Sequence, residues 1–360
     1  MGQTTKRIEG YDVARALAIF GMIIVNFTIV MGSGEAGQDW LVFFVGLFEG
    51  RAVALFIMLA GVGLSLLSRR AYQSEESSAR QQAIRRILKR ALFLFVFGLM
   101  LLPIWSGDIL HSYGVYMLIG AMLIFASDRH ILLASVGFTI GFIGLFIMID
   151  YSIGWDWEAL TQTDFWTPFG LVRSLIYNGW RPVFPFVSFL LFGIWLGRQD
   201  IRIPQFRRMM IFASLVILLV VEILVMILIS FSTPVLGSEL SIFLFSRASM
   251  PPMPFYMLSA GSSSVIVIVL MTMLSERFNH TIGWRLLVVT GQSALTLYIA
   301  HIIVGMGIIE AFGWINGGQS LAVTLIYCFV FYAFCILFAQ IWRLRFARGP
   351  FEWLMRAISR

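Results

Sequence analysis

The stretch WSGDILHSYG, residues 105–114, sets a carboxylate and an imidazole three positions apart, Asp108 and His111, between two long apolar runs. Three residues span one helical turn, so the two side chains meet if a helix has begun there. A carboxylate beside an imidazole raises its basicity and fixes its tautomer, which is the preparation a general base needs. The hydroxyl of Tyr113, or the guanidinium of Arg181 in the later WRP stretch, would then be the donor for an oxyanion. The plainer alternative is a short loop hydrogen-bonded to its neighbour.

Other ionisable groups sit where apolar surroundings make them costly unless paired or wet. IEGYDVARALAIF places Asp12 and Arg15 on one face of a helix start, either as an anchoring pair or as a cradle for a phosphate. Asn26 follows on roughly the same face and needs hydrogen-bonding partners from other helices. GQSALTLYIAH carries Gln292, Tyr298 and His301, with Tyr298 and His301 on a shared face. Glu49 and Arg51 are two apart, face different ways on a helix and so each require another partner. The expectation is that Asp108, His111, Glu49, Arg51 and Arg181, all at one depth, converge on a cavity open to the extracytoplasmic side, with Asp108 the principal group.

The elements that hold these residues follow from composition. Of 360 residues 59% are hydrophobic and only 12% charged, and the mean hydropathy is +0.88. Apolar runs of roughly 18 residues or more recur along the chain, as in a polytopic helical membrane protein. The all-α expectation is about ten spans, near 11–31, 42–68, 91–105, 111–127, 131–150, 182–198, 209–231, 254–275, 288–309 and 320–342. Residues 40–48 read as a short interfacial segment leading into a span over 51–68. The first run is too long and too charged for a cleaved signal. Lys and Arg concentrate in 69–90, 128–130, 197–208, 276–285 and the tail, which puts both termini in the cytoplasm and leaves Arg173, Arg181 and Arg247 opposite. The whole of 1–360 then forms one integral membrane domain. The loop 151–181 is acidic and Trp-rich, either an aromatic belt at the headgroups or a lip over an outward-facing site.

The net charge of +7 is spent on that asymmetry and implies no nucleic acid. Cys328 and Cys335, seven apart in one run, are separated by about 10 Å of helical rise and cannot bridge. No metal-binding spacing, phosphate-binding glycine loop or GxSxG elbow occurs, which removes ATPase, zinc protease and α/β-hydrolase readings.

Five stretches, IEGYDVARALAIFGMIIVN, FEGRAVALFIMLAGVGLSL, WSGDILHSYGVYMLIG, GQSALTLYIAH and ARGPFEWLMR, resemble the YeiB family of bacterial membrane proteins in the family's own order. The GDILxxYG and RGPxEWLxR elements are the most distinctive. That family is similar, more distantly, to heparan-α-glucosaminide N-acetyltransferase-like transmembrane acyltransferases, chiefly in the first helix with Asp12 and Arg15. The resemblance implies transfer of an acyl group from cytoplasmic acyl-CoA, as co-substrate rather than bound cofactor, to an acceptor such as a sugar on the far side. The lysosomal enzyme's essential histidine lies between its first two spans; here GSGEAGQDWLVFFVGLFEG contains none.

Two functions follow. In an acyltransferase, His111 oriented by Asp108 is the base, and Arg15 with the basic 69–90 segment holds the CoA. In a transporter or flippase of a small or amphiphilic solute, the layers Asp12/Arg15, Tyr298/His301 and Asp108/His111/Arg181 form a polar path. A structural or sensory protein explains the buried charges least well. The expected location is the bacterial inner membrane. The expected partners are lipids, a small-molecule or glycan acceptor and a second copy of the chain in a homodimer.

Overall fold

A chain this apolar satisfies its backbone in lipid only as helices or as a closed barrel, and its runs show no two-residue alternation. Helices form. The computed structural model describes residues 7–34, 37–74, 76–315 and 317–359, which hold sixteen α-helices, two π segments and one two-stranded hairpin. Residues 1–6, on the expected cytoplasmic terminus, and Glu75, in the basic segment, lie outside the described residues. Among the described residues seven helices are long and apolar enough to cross a membrane, or eight if the bent pair Pro168–Asn178 and Val183–Arg198 is one span. The protein is an all-α, multi-pass membrane bundle.

Three places differ from the expected spans, each for a local reason. The basic segment is mostly helix rather than loop. Alanine, arginine, leucine and glutamine are strong helix formers, so α3 (Arg51–Gln73) runs on into it and α4 (Ser77–Leu101) starts within it. The expected span at 111–127 is only the 14-residue α5 (Leu110–Leu123). The expected span at 288–309 is broken into α12 (Ile282–Gln292), α13 (Ala294–Ala300), a π segment (His301–Met306) and α14 (Gly307–Ala311). Residues 40–48 do form a short helix, α2 (Asp39–Gly46), ahead of α3.

The chain divides into two compact units, each discontinuous in sequence. The first comprises Met1–Phe56, Ile201–Ile211 and Ser264–Leu354. Its centre is α1 (Glu9–Val30), whose small residues Gly10, Ala14, Ala16, Ala18 and Gly21 admit neighbouring backbones closely, the usual basis of helix association in lipid. A Cβ at Gly291 would lie 1.7 Å from the Asp12 carbonyl oxygen, so α12 crosses α1 there in backbone contact. On another face, α15 (Leu321–Arg345) is tied to α1 by the Tyr332 hydroxyl, which donates to the Ala16 carbonyl at 2.9 Å. Both cysteines lie buried and unbridged on α15.

The second unit comprises Ile57–Asp200, Phe212–Ser263 and Met355–Arg360. Here α4 and α5 form an antiparallel pair, and a Cβ at Gly98 would lie 2.1 Å from the His111 backbone nitrogen. α6 (Asp128–Met148) packs on α8 (Val183–Arg198), where Ser135 and Ser188 each donate a hydroxyl to the other's carbonyl, at 3.0 and 2.7 Å. Hydroxyl pairs of this kind hold helices where water is absent. α6 leaves most of its apolar surface uncovered, as a lipid-solvated helix does.

Candidate functional site

α5 begins at Leu110 because Asp108 caps it. One carboxylate oxygen accepts from the Leu110 N–H at 2.9 Å and the His111 N–H at 3.4 Å, satisfying donors a helix start leaves open. The same oxygen lies 3.3 Å from His111 Nδ1. Toward an ionised Asp108 the ring must carry its proton on Nδ1, which leaves Nε2 as the basic atom. Nε2 is 3.3 Å from the Ser112 hydroxyl. Both contacts are long for hydrogen bonds, as catalytic contacts often are before substrate binds. Asp108 is wholly buried, whereas His111 reaches a cavity of about 180 Å³.

That cavity is walled by Leu102, Ser106, His111, Thr161, Gln162, Phe165, Trp166, Ser174 and Trp180. Six of the nine come from the Trp-rich loop 151–181, so part of this loop covers His111 and does not only line a headgroup belt. Its shape has a local cause. A hairpin pairs β1 (Trp155–Asp156) with β2 (Thr161–Gln162), and the Asn178 carbonyl accepts from Trp155 Nε1 at 2.7 Å and Gln162 Nε2 at 3.1 Å. Arg173 grips Asp164 with two 2.6 Å bonds and donates through Nε to the Asn178 side chain at 3.1 Å. The guanidinium holds the Asp164 carboxyl below its ordinary pKa. Phe165 meets His111 edge to face at 6.0 Å.

Arg181 stands beside this cavity without lining it. Its guanidinium donates to the Trp180 carbonyl at 2.5 Å and lies over the rings of Trp180 and Phe186, at 5.9 and 5.6 Å. Its carbonyl accepts the Tyr116 hydroxyl at 2.6 Å. Tyr113 is buried with its ring 6.0 Å from that of Tyr116, and is not in the cavity wall. Glu49 and Arg51 belong to the other unit, where Glu49 is exposed and Arg51 donates to the Gly46 carbonyl at 3.1 Å.

In the first unit a buried carboxylate organises two arginines. Asp12 accepts from Arg7 Nε at 2.7 Å and Nη2 at 2.9 Å, from Arg15 Nη1 at 2.6 Å, and from Gln292 at 3.5 Å. Hydrogen bonding to Asp12 raises the Arg7 pKa. The Arg7 and Arg15 side chains are 62% and 24% exposed, so their remaining N–H groups reach solvent beside the first turn of α1. Glu9 accepts from Trp284 Nε1 at 3.2 Å. Arg7 stood outside the apolar pattern and was not among the candidates from sequence; its five-residue separation from Asp12 was the signal.

Deeper in the unit, His301 Nδ1 meets the Tyr298 carbonyl. A carbonyl only accepts, so the proton is on Nδ1 and Nε2 accepts from Asn26 Nδ2 at 2.9 Å. The imidazole is fully buried and satisfied on both nitrogens. It begins the π segment, a departure from α geometry frequent at functional positions. Above it Glu352, from the terminal RGPFEW stretch, caps α13 across the break. Its carboxylate accepts from the Leu295 and Thr296 N–H groups at 2.7 and 3.1 Å and from the Thr296 hydroxyl at 2.5 Å. Burial raises its pKa. The terminal motif was legible in sequence; its target was not, because nothing local marks a break at Ser293. Among the described residues no three His, Cys, Asp or Glu side chains cluster to hold a metal.

Residues 7–229 match the family described as heparan-alpha-glucosaminide N-acetyltransferase, catalytic. Residues 195–360 match a family described as a protein of unknown function, DUF418, which is the YeiB family. A curated relative, the uncharacterized protein YxaH of Bacillus subtilis (strain 168), is 26% identical over 183 residues, a match covering 44% of each chain. The chain thus spans under half the length of that relative.

Proposed function

The chain belongs to the heparan-alpha-glucosaminide N-acetyltransferase catalytic family, transmembrane acyltransferase-like proteins, and we propose from that premise that it moves an acyl group from cytoplasmic acyl-CoA to an extracytoplasmic acceptor such as a sugar. The observation that carries the reading is the Asp108–His111 pair at the wall of a small cavity. A volume near 180 Å³ suits an acyl group and the reacting end of an acceptor, not a whole cofactor. His111 Nε2 takes the proton of the acceptor's hydroxyl or amine as that atom attacks the thioester carbonyl. The new acyl–oxygen or acyl–nitrogen bond forms, the carbon–sulfur bond breaks, and the CoA thiolate recovers the proton. Asp108, buried behind the ring, stabilises the imidazolium that forms in between. On this reading His111, which meets the cavity, takes the larger role and Asp108 acts through it, the opposite of the ranking expected from sequence. Separately, the two arginines held by Asp12 offer forked donors to a phosphate at a helix start, where the dipole also favours anions.

Purified protein in liposomes is given acetyl-CoA labelled in the acetyl group and a panel of amino and hydroxyl sugars. Label on an acceptor, lost in His111→Gln, supports the reading; labelled acceptor formed equally by that variant defeats it. Arg15→Ala is expected to weaken stabilisation by CoA with the fold intact. If it binds CoA like wild type and is only less stable, Asp12–Arg15 is a structural pair.

One observation favours transport as a second reading. The break at Ser293, with the buried His301 and its partner Asn26 about two turns beyond it, has the form of the discontinuous helices that bind solutes in secondary transporters. Solute accumulation by the liposomes without acyl transfer would select it.

A further inference from the structure

Buried polar groups are hydrogen-bonded almost without exception, so a cluster of donors lacking acceptors points to what the site takes from outside. Beside the His111 cavity such donors concentrate. The indole N–H groups of Trp105 and Trp180 are both buried with no acceptor among the described residues. The two rings lie 5.9 Å apart, and Trp180 is a cavity wall. Arg181 lies over the Trp180 ring, half-buried, and among the described residues pairs with no carboxylate. By contrast Arg173, 4% exposed in the same loop, has its own aspartate. Indole N–H and guanidinium groups donate only. Nothing in this set accepts a hydrogen bond, so a cation would leave the deficit standing, and a neutral oxygen would meet the indole N–H groups without answering the guanidinium charge. An oxygen anion meets it.

We propose that Arg181, with the indole N–H groups of Trp180 and Trp105, binds an oxyanion, a phosphate or a carboxylate, at the edge of the His111 cavity. On the acyltransferase reading this anion belongs to the acceptor, whose nucleophilic hydroxyl or amine then lies toward His111. Two sources present this chemistry, a soluble acceptor carrying the anion and a lipid headgroup phosphate. A fork of guanidinium donors suits either, because both offer two oxygens in one plane. Small polar walls from Ser106, Thr161 and Gln162 leave the rest of the cavity uncharged.

The test uses the full chain, delipidated in a neutral detergent, with thermal midpoint as readout. Inorganic phosphate is titrated in one arm and phosphatidylglycerol is restored in nanodiscs in the other, against a neutral-headgroup nanodisc without exposed phosphate. A rise in midpoint in either arm that Arg181→Gln reduces by at least tenfold in apparent affinity supports the proposal. The arm that responds names the source. Arg181→Lys should keep part of the response, and Trp180→Phe, which retains the ring but not the N–H, should weaken it severalfold. Response remaining in Arg181→Gln measures binding elsewhere, the Asp12 arginines included. No response in either arm, or an Arg181→Gln response equal to wild type, overturns the proposal. The outcomes separate from the acyltransferase reading. Anion binding lost with Arg181 but no acyl transfer leaves this site standing and removes that reading. Transfer to neutral acceptors untouched by Arg181 does the reverse.

Discussion

The Asp12 cluster and the His111 cavity both place a buried aspartate beside a basic residue three positions on, yet they are built oppositely. Asp12 is saturated: two arginines and a glutamine use its oxygens, with the shortest contact at 2.6 Å. At Asp108 the basic partner is an imidazole held at 3.3 Å, beside a cavity and near indole donors without acceptors among the described residues. A saturated carboxylate fixes the groups around it and is suited to holding a charge in place. A pair held by long contacts beside a cavity can rearrange around a ligand and exchange a proton with it. The same i, i+3 spacing thus supports anchoring in one region and chemistry in the other.

The largest effect that would sharpen this contrast is on rate. His111→Gln is expected to lower acyl transfer by roughly 10²–10⁴-fold, the range of a general base, with little change in midpoint. Asp108→Asn keeps an oxygen for the α5 cap and should lower the rate less, by roughly 10–100-fold. If Asp108→Asn is the more damaging, the ranking drawn from the cavity is wrong. In the saturated region stability should respond instead. Asp12→Ala leaves two guanidinium groups without their acceptor and is expected to cost about 3 kcal/mol in unfolding, near the low end for a broken buried pair because both arginines retain water. A cost under about 0.5 kcal/mol would mark the cluster as an ordinary surface pair.

Smaller effects test how each region is positioned. Gly98→Ala puts a methyl group into the His111 backbone, and is expected to cost roughly 1–3 kcal/mol and to lower transfer as well, by moving the imidazole. Gly291→Ala, against the Asp12 carbonyl, should cost a similar amount without touching His111. Equal loss of transfer in both variants would erase the distinction between the regions. The smallest effect is acidic. Arg173 depresses the Asp164 pKa, so the loop gains stability from this pair above the unfolded carboxylate value near 3.9 and loses it as pH falls through the lower folded value. Asp164→Asn should therefore loosen the loop at neutral pH, by under about 1 kcal/mol, and flatten its acid dependence. Amide exchange of residues 155–166 at pH 7 and below pH 4 reads both.

Local chemistry determined much of this protein. Apolar runs set the helices, because lipid offers the backbone no other partner, and i, i+3 spacing was enough to pair Asp12 with Arg15 and Asp108 with His111. Neutral tautomers, bonding directions and the capping role of Asp108 needed coordinates, since they depend on distances of a few tenths of an ångström. What tertiary structure alone decided is every partnership distant in sequence. Asn26 finds His301, Glu352 caps a break that no residue pattern announces, and the Trp-rich loop folds over His111 because Asn178 and Arg173 tie it down. Glu49 and Arg51 shared a depth with Asp108 and nothing else visible in sequence; depth along the membrane normal is a one-dimensional coordinate. Convergence on a site also needs the angle around each helix and the choice of neighbour, and packing sets both.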